Sequence, residues 1–161
     1  MKTLFTTIIL ILSSTTLIAQ SSINQEDFKL LNNTRWEGVL TYKDYSSGKQ
    51  ESIPTKLQII IKNNRIKSSI QYDYEPNKNY NETVKIKENG TYYGNEKVIK
   101  NMLDKGQRTI ITRYNGTDNG KEAIFFNTHI FDSENYTITK EVQLIETKER
   151  FVRNKYTFKK V

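Results

Sequence analysis

The chain offers few residues for catalysis or metal binding. There is no cysteine, which excludes thiolate metal sites, disulfides and a cysteine nucleophile. His129 is the single histidine. It shares a face with Phe125, Asn127 and Phe131, and could serve as a general base or as the axial ligand of a haem, but an ordinary hydrogen-bonded strand histidine fits the same pattern. Zinc sites usually need more than one such ligand, so no metal site is expected. Glu37, Asp44, Glu82 and Glu122 lie in or near extended segments, where a facing pair could do acid–base chemistry on a sugar. Glu82 stands out because it falls on the face otherwise made of Tyr80, Val84 and Ile86. A carboxylate among apolar side chains has a shifted pKa and marks a site. No phosphate loop, EF-hand loop or dinucleotide fingerprint is present, and no cofactor is expected.

The aromatic residues say more. The chain has 10 Tyr, 7 Phe and 1 Trp in 161 residues, too many for a disordered segment. Tyr42, Tyr45, Tyr72, Tyr74, Tyr80, Tyr92 and Tyr93 fall near the ends of extended stretches. Such a ring gives an apolar wall edged with hydroxyls, suited to a small ligand. It is also what strand composition delivers, since tyrosine favours strands.

These residues are held by segments of period two. Trp36, Gly38, Leu40 and Tyr42 share one face, as do Ile53, Thr55, Leu57, Ile59 and Ile61. Ile66 to Tyr74 and Tyr80 to Ile86 alternate in the same way. Pro54 lacks a donor and predicts an edge or a bulge. Asn63-Asn64, Pro76 to Asn79 and Asn89-Gly90 are turn sequences. Farther on come strands over Thr109–Tyr114, Lys121–Phe131, Tyr136–Ile145 and Phe151–Phe158, with a loop at Asn115–Gly120. Residues 92–107 give no clear period. About nine strands joined by short turns predict an antiparallel meander, and closing it into a barrel of 8–10 strands removes its edges. Asn24, with Asp27 three residues on, caps a short helix carrying Phe28 and Leu31, placed to plug one end.

Lys2, the apolar run Leu4 to Leu12 and the small Ala19 form a signal peptide, too short to span a membrane. Cleavage after Ala19 leaves a single domain over residues 20–161. Export to the periplasm or the exterior follows, without a lipid anchor since no cysteine is present to carry one, and the mature chain is expected to have no transmembrane segment. The net charge is +7, yet acids are interspersed with the bases and no basic run exceeds two residues. That argues against nucleic-acid binding.

A short N-terminal helix, an early strand opening Trp36-Glu37-Gly38 and a run of hairpins resemble the lipocalin-like (calycin) barrels, in particular small secreted bacterial ones. Those proteins usually carry Gly two residues before the Trp, where this chain has Thr34. The resemblance spans about Phe28 to Phe158. It implies a barrel with an internal cavity and structural roles for Trp36 and Gly38. It also implies that a basic side chain late in the last strand, here Arg153, packs on Trp36. The expected function is binding of a small, mostly apolar ligand, with Tyr72, Tyr74, Tyr80, Phe125 and His129 in the wall. The alternative is a protein-interaction module, an inhibitor or an envelope accessory factor, working through the Tyr45–Lys49 and Asn115–Gly120 loops.

Overall fold

The computed structural model describes residues 21–161; the expected signal peptide and its cleavage site lie outside the described residues. The described residues are all-β, apart from short 3-10 turns. Ten antiparallel strands run β1 Thr34–Lys43, β2 Gln50–Lys62, β3 Arg65–Tyr72, β4 Tyr80–Lys87, β5 Tyr92–Tyr93, β6 Glu96–Asp104, β7 Gln107–Asp118, β8 Lys121–Phe131, β9 Asn135–Leu144 and β10 Arg150–Lys160. Each pairs with its neighbours in sequence, and β1 pairs with β10, so the up-and-down sheet closes into a barrel. Closure joins the two outer strands of the meander to each other.

The two-residue turns are set by residues that tolerate a positive φ. Asn63 and Asn64 (φ 52° and 57°) join β2 to β3, and Asn119-Gly120 (φ 47° and 78°) joins β7 to β8. Pro54 stands where β2 is locally an edge. It lies one residue beyond the last β2–β3 pair, Thr55–Tyr72, on the side where β3 has ended. Its missing N–H therefore costs no ladder bond.

The barrel has two unlike halves. The lower half is filled by Trp36, Ile59, Ile66, Ile110, Phe131 and Phe158, all buried. A 3-10 helix, Gln25–Leu31, closes the floor. Its spacing of three per turn puts Phe28 and Leu31 on one side, and both are buried. Asn24 and Asp27 cap it reciprocally. Phe28 stacks on Tyr93 and Phe131, with ring centroids 5.6 and 6.2 Å away. Asp27 also pairs with Arg108 (3.1 Å) and accepts from Asn101 Nδ2 (2.9 Å), tying the helix to β6 and β7. Trp36 is 1 % exposed, and its indole N–H donates to Thr34 Oγ1 at 2.7 Å. Thr34 in turn donates to the Leu31 carbonyl at 2.6 Å. Thr34 thus supplies the partner that a buried indole needs.

Gly38 sits where β1 and β10 meet. A Cβ there would run into the Thr157 carbonyl and lie 2.8 Å from Phe158 Cα. Arg153 does not pack on Trp36. β10 runs antiparallel to β1, so Lys160 lies opposite Trp36, while Asn154, the residue after Arg153, lies opposite Tyr42 at the other end.

Candidate functional site

Above the filled half the barrel is hollow. Two adjoining cavities of about 740 and 810 Å³ share Tyr114, Lys140, Asn154 and Tyr156 in their walls. Both volumes fall in the range of small-molecule sites.

Strand alternation places each wall residue. On β8, Phe125, Asn127 and His129 point inward, and on β9 Ile138, Lys140 and Val142. Across the strands Asn127 pairs with Lys140, and Lys140 with Asn154. The inner surface is therefore apolar near the floor, becomes polar at the Asn127–Lys140–Asn154 level, and is aromatic again at Tyr114 and Phe125, whose rings stack at 4.8 Å.

Tyrosine hydroxyls face the hollow from three strands. Tyr72 and Tyr156 share a hydrogen bond of 2.8 Å, and the Tyr80 ring centroid lies 6.5 Å from that of Tyr72. Burial pushes Tyr80 up to about 12, with neighbouring Tyr72 adding to the shift, and burial raises Tyr156 further still. These phenols stay neutral at physiological pH. His129 is 8 % exposed and hydrogen-bonded through Nδ1 to the Tyr136 hydroxyl at 2.9 Å. Burial lowers its pKa to about 4, so the imidazole is neutral. The charged groups of this wall include Glu96, which accepts from Thr112 Oγ1 and from Asn127 Nδ2 (2.8 Å), and Lys140.

The wall has a gap. β5 holds two residues and pairs with β4 only through Ile86–Tyr93 and Lys87–Tyr92. Beyond the bond from Gly94 N–H to the Lys85 carbonyl (2.9 Å), Tyr80 to Val84 have no strand partner on that side among the described residues. Tyr80, Glu82 and Val84 face Glu96, Tyr114 and Asn115 across this opening. The upper mouth is strapped. A bulge in β10 between Val152 and Asn154 re-aims Arg153, whose guanidinium lies 4.2 Å from the Tyr45 ring centroid. Arg153 also donates to the Lys43 carbonyl (2.6 Å) and pairs with Asp118 (3.6 Å), which in turn accepts from the Tyr45 hydroxyl. The β1–β2 loop is thereby joined to the β7–β8 hairpin, four strands round the barrel.

Of the expected wall residues, Tyr72, Tyr80, Phe125 and His129 line these cavities. Tyr74 does not: the chain leaves the wall after Tyr72, and Tyr74 is 79 % exposed. Tyr93 lies at the floor against Phe28, away from the mouth. The expected loop at Asn115–Gly120 is mostly strand, since β7 continues to Asp118. Glu37 and Glu122 lie exposed on strands, and Asp44 caps its own loop, its pKa lowered to about 2 by hydrogen bonds from Ser46 and Ser47. Among the candidate carboxylates only Glu82 reaches the cavity, where it meets Glu96, which went unrecognised. Tyr114, Lys140 and Tyr156 were also missed. For Lys140 a signal existed: it interrupts the alternating face Tyr136, Ile138, Val142 and Leu144, as Glu82 interrupts its own.

No family model matches the chain, and no curated protein matches it in sequence. Solved structures do match in shape. Rv2717c from M. tuberculosis is 7% identical, with a TM-score of 0.58 over 84% of this chain and 96% of that one. A DUF3598 family protein of unknown function from Nostoc punctiforme is 14% identical, with a TM-score of 0.50 over 89% of this chain and 51% of that one. At such identities the likeness shows the barrel fold alone.

Proposed function

We propose that this protein is a lipocalin-like carrier or sensor that binds a small, mostly apolar molecule inside its barrel. One observation supports this above the rest: the upper interior is unfilled although the lower interior is tightly packed. Interiors normally close to crystal-like density. A hollow of several hundred Å³, walled by aromatic rings and a few polar groups, is the usual form of a ligand site. The gap above β5 offers a way in. An interaction module acting through its loops would need no such hollow, and the Tyr45 loop is occupied by its own contacts with Arg153 and Asp118.

Native mass spectrometry of protein purified from its own host tests the proposal. A retained small molecule, released on denaturation, is expected. A single ligand-free mass, together with no binding of an apolar fluorescent dye, would overturn it. We also propose export to the periplasm or exterior, on the strength of Lys2, the apolar Leu4–Leu12 run and Ala19. The recovered protein should begin at or near Gln20; one beginning at Met1 would refute export by cleavage.

A further inference from the structure

We infer that the ligand ends in a carboxylate and that Lys140 holds that carboxylate, an assignment that rests on the cavity being a ligand site at all. Lys140 occupies the inward position of β9 between Ile138 and Val142, and its side chain is half-buried in the wall common to both hollows. A lysine ammonium placed on an inward face is costly unless something pairs with it. Nothing in the protein does so among the described residues. The ion pairs there are Lys56–Asp73, Arg108–Asp27, Arg150–Glu141 and Arg153–Asp118.

Two of the neighbouring anions are engaged elsewhere, while Glu75, on the wall of the upper hollow, makes no ion pair with Lys140. Glu96 is taken up by Thr112 and Asn127, and Asp118 by Arg153 and Tyr45. Glu82 stands at the lateral gap with an exposed side chain. The Lys140 ammonium lies over two ring faces, with the Phe125 and Tyr114 centroids 5.8 and 5.9 Å away. Those faces hold the ammonium in place without neutralising it. Asn154, directly across on β10, offers a carboxylate a second donor. Below this level Leu57, Ile70 and Ile138 line the hollow toward the floor, where an apolar tail would lie. The level of Lys140 and Asn154, with the apolar wall below it, thus matches an amphipath with one anionic end.

The test uses two fluorescent probes titrated into the intact protein: a conjugated-polyene fatty acid and the alcohol of the same chain. The wild type should prefer the acid by about 10- to 100-fold, the worth of one charge-assisted hydrogen bond. Lys140→Met should erase that preference by weakening the acid alone, and Lys140→Arg should keep it. Equal binding of acid and alcohol to the wild type overturns the inference and leaves the ligand site standing. So does a Lys140→Met variant that binds both probes as the wild type does. Binding of neither probe counts against the ligand site and the carboxylate together. If Lys140→Met fails to fold, the wild-type comparison of the two head groups still decides.

Discussion

Phe28→Ala is the sharpest test of how the barrel floor is held. Phe28 is 2 % exposed and stacks between Tyr93 and Phe131. Removing the ring forfeits its burial and two aromatic contacts. The helix cannot settle into the space, because Asp27 is fixed by Arg108 and Asn101, and Asn32 Oδ1 accepts from the Ile61 N–H at 2.8 Å. The void therefore persists, and the cost falls in the usual range for phenylalanine truncation without relaxation, about 3–4 kcal/mol. With an unfolding entropy of roughly 0.3 kcal/mol/K for a domain of this size, that lowers Tm by about 10–13 °C. Urea denaturation followed by Trp36 fluorescence and by circular dichroism measures it, since the indole sits in the same filled half. Leu30→Ala on the same helix, where Leu30 is 36 % exposed, is the control and should shift stability by no more than about 0.5 kcal/mol. A loss under about 1 kcal/mol for Phe28→Ala would refute the idea that the helix closes the floor by packing. The strand side chains would then suffice on their own.

Two further outcomes follow from the same packing. Gly38→Ala should destabilise the barrel by about 2–3 kcal/mol in urea, because the new methyl group meets the β10 backbone at Thr157 and Phe158; an unchanged midpoint would mean that the β1–β10 seam is looser than drawn. His129 has its pKa lowered by burial from 6.5 to about 4, so the unfolded chain binds a proton that the folded chain does not between those values. Stability should therefore fall as pH drops from about 6.5 toward 4, by on the order of 3 kcal/mol, and the His129→Gln variant should lose that part of the slope; parallel pH profiles for the two proteins would show that His129 is not the group responsible.

Much of the barrel was legible because its strands alternate cleanly where they are buried on one side. β1, β2 and β3 show it, and their turns use asparagine and glycine where a positive φ is needed. Residues 92–104 were opaque for a physical reason. β6 carries a bulge between Val98 and Lys100, so its buried residues Val98 and Asn101 stand three apart. One of the two is polar, and Ile99 and Leu103 are exposed, at 41 % and 52 %. Period and polarity both mislead there. Asn115 to Asp118 misled differently: at the mouth the inward face meets water, so a true strand has the composition of a loop. Arg153 shows the limit of judging by strand end alone. Its partner is fixed by which residues face each other at closure and by a one-residue bulge, and neither is written in local sequence.

The two halves of the barrel are built on different terms. The lower half holds most of the large apolar side chains, the helix and the Asp27–Arg108 pair, and it can be packed tightly because nothing needs to enter it. In the upper half, tyrosines line the hollow from β3, β4 and β10, and the hydroxyls of Tyr72 and Tyr156 bond to each other across it. A phenol ring keeps the wall rigid, while its hydroxyl tolerates water when the cavity is empty. A purely aliphatic upper half would collapse or aggregate. The short β5 leaves the wall open beside Tyr80, where a full-length strand would close it, while Arg153, Tyr45 and Asp118 join two loops at the mouth.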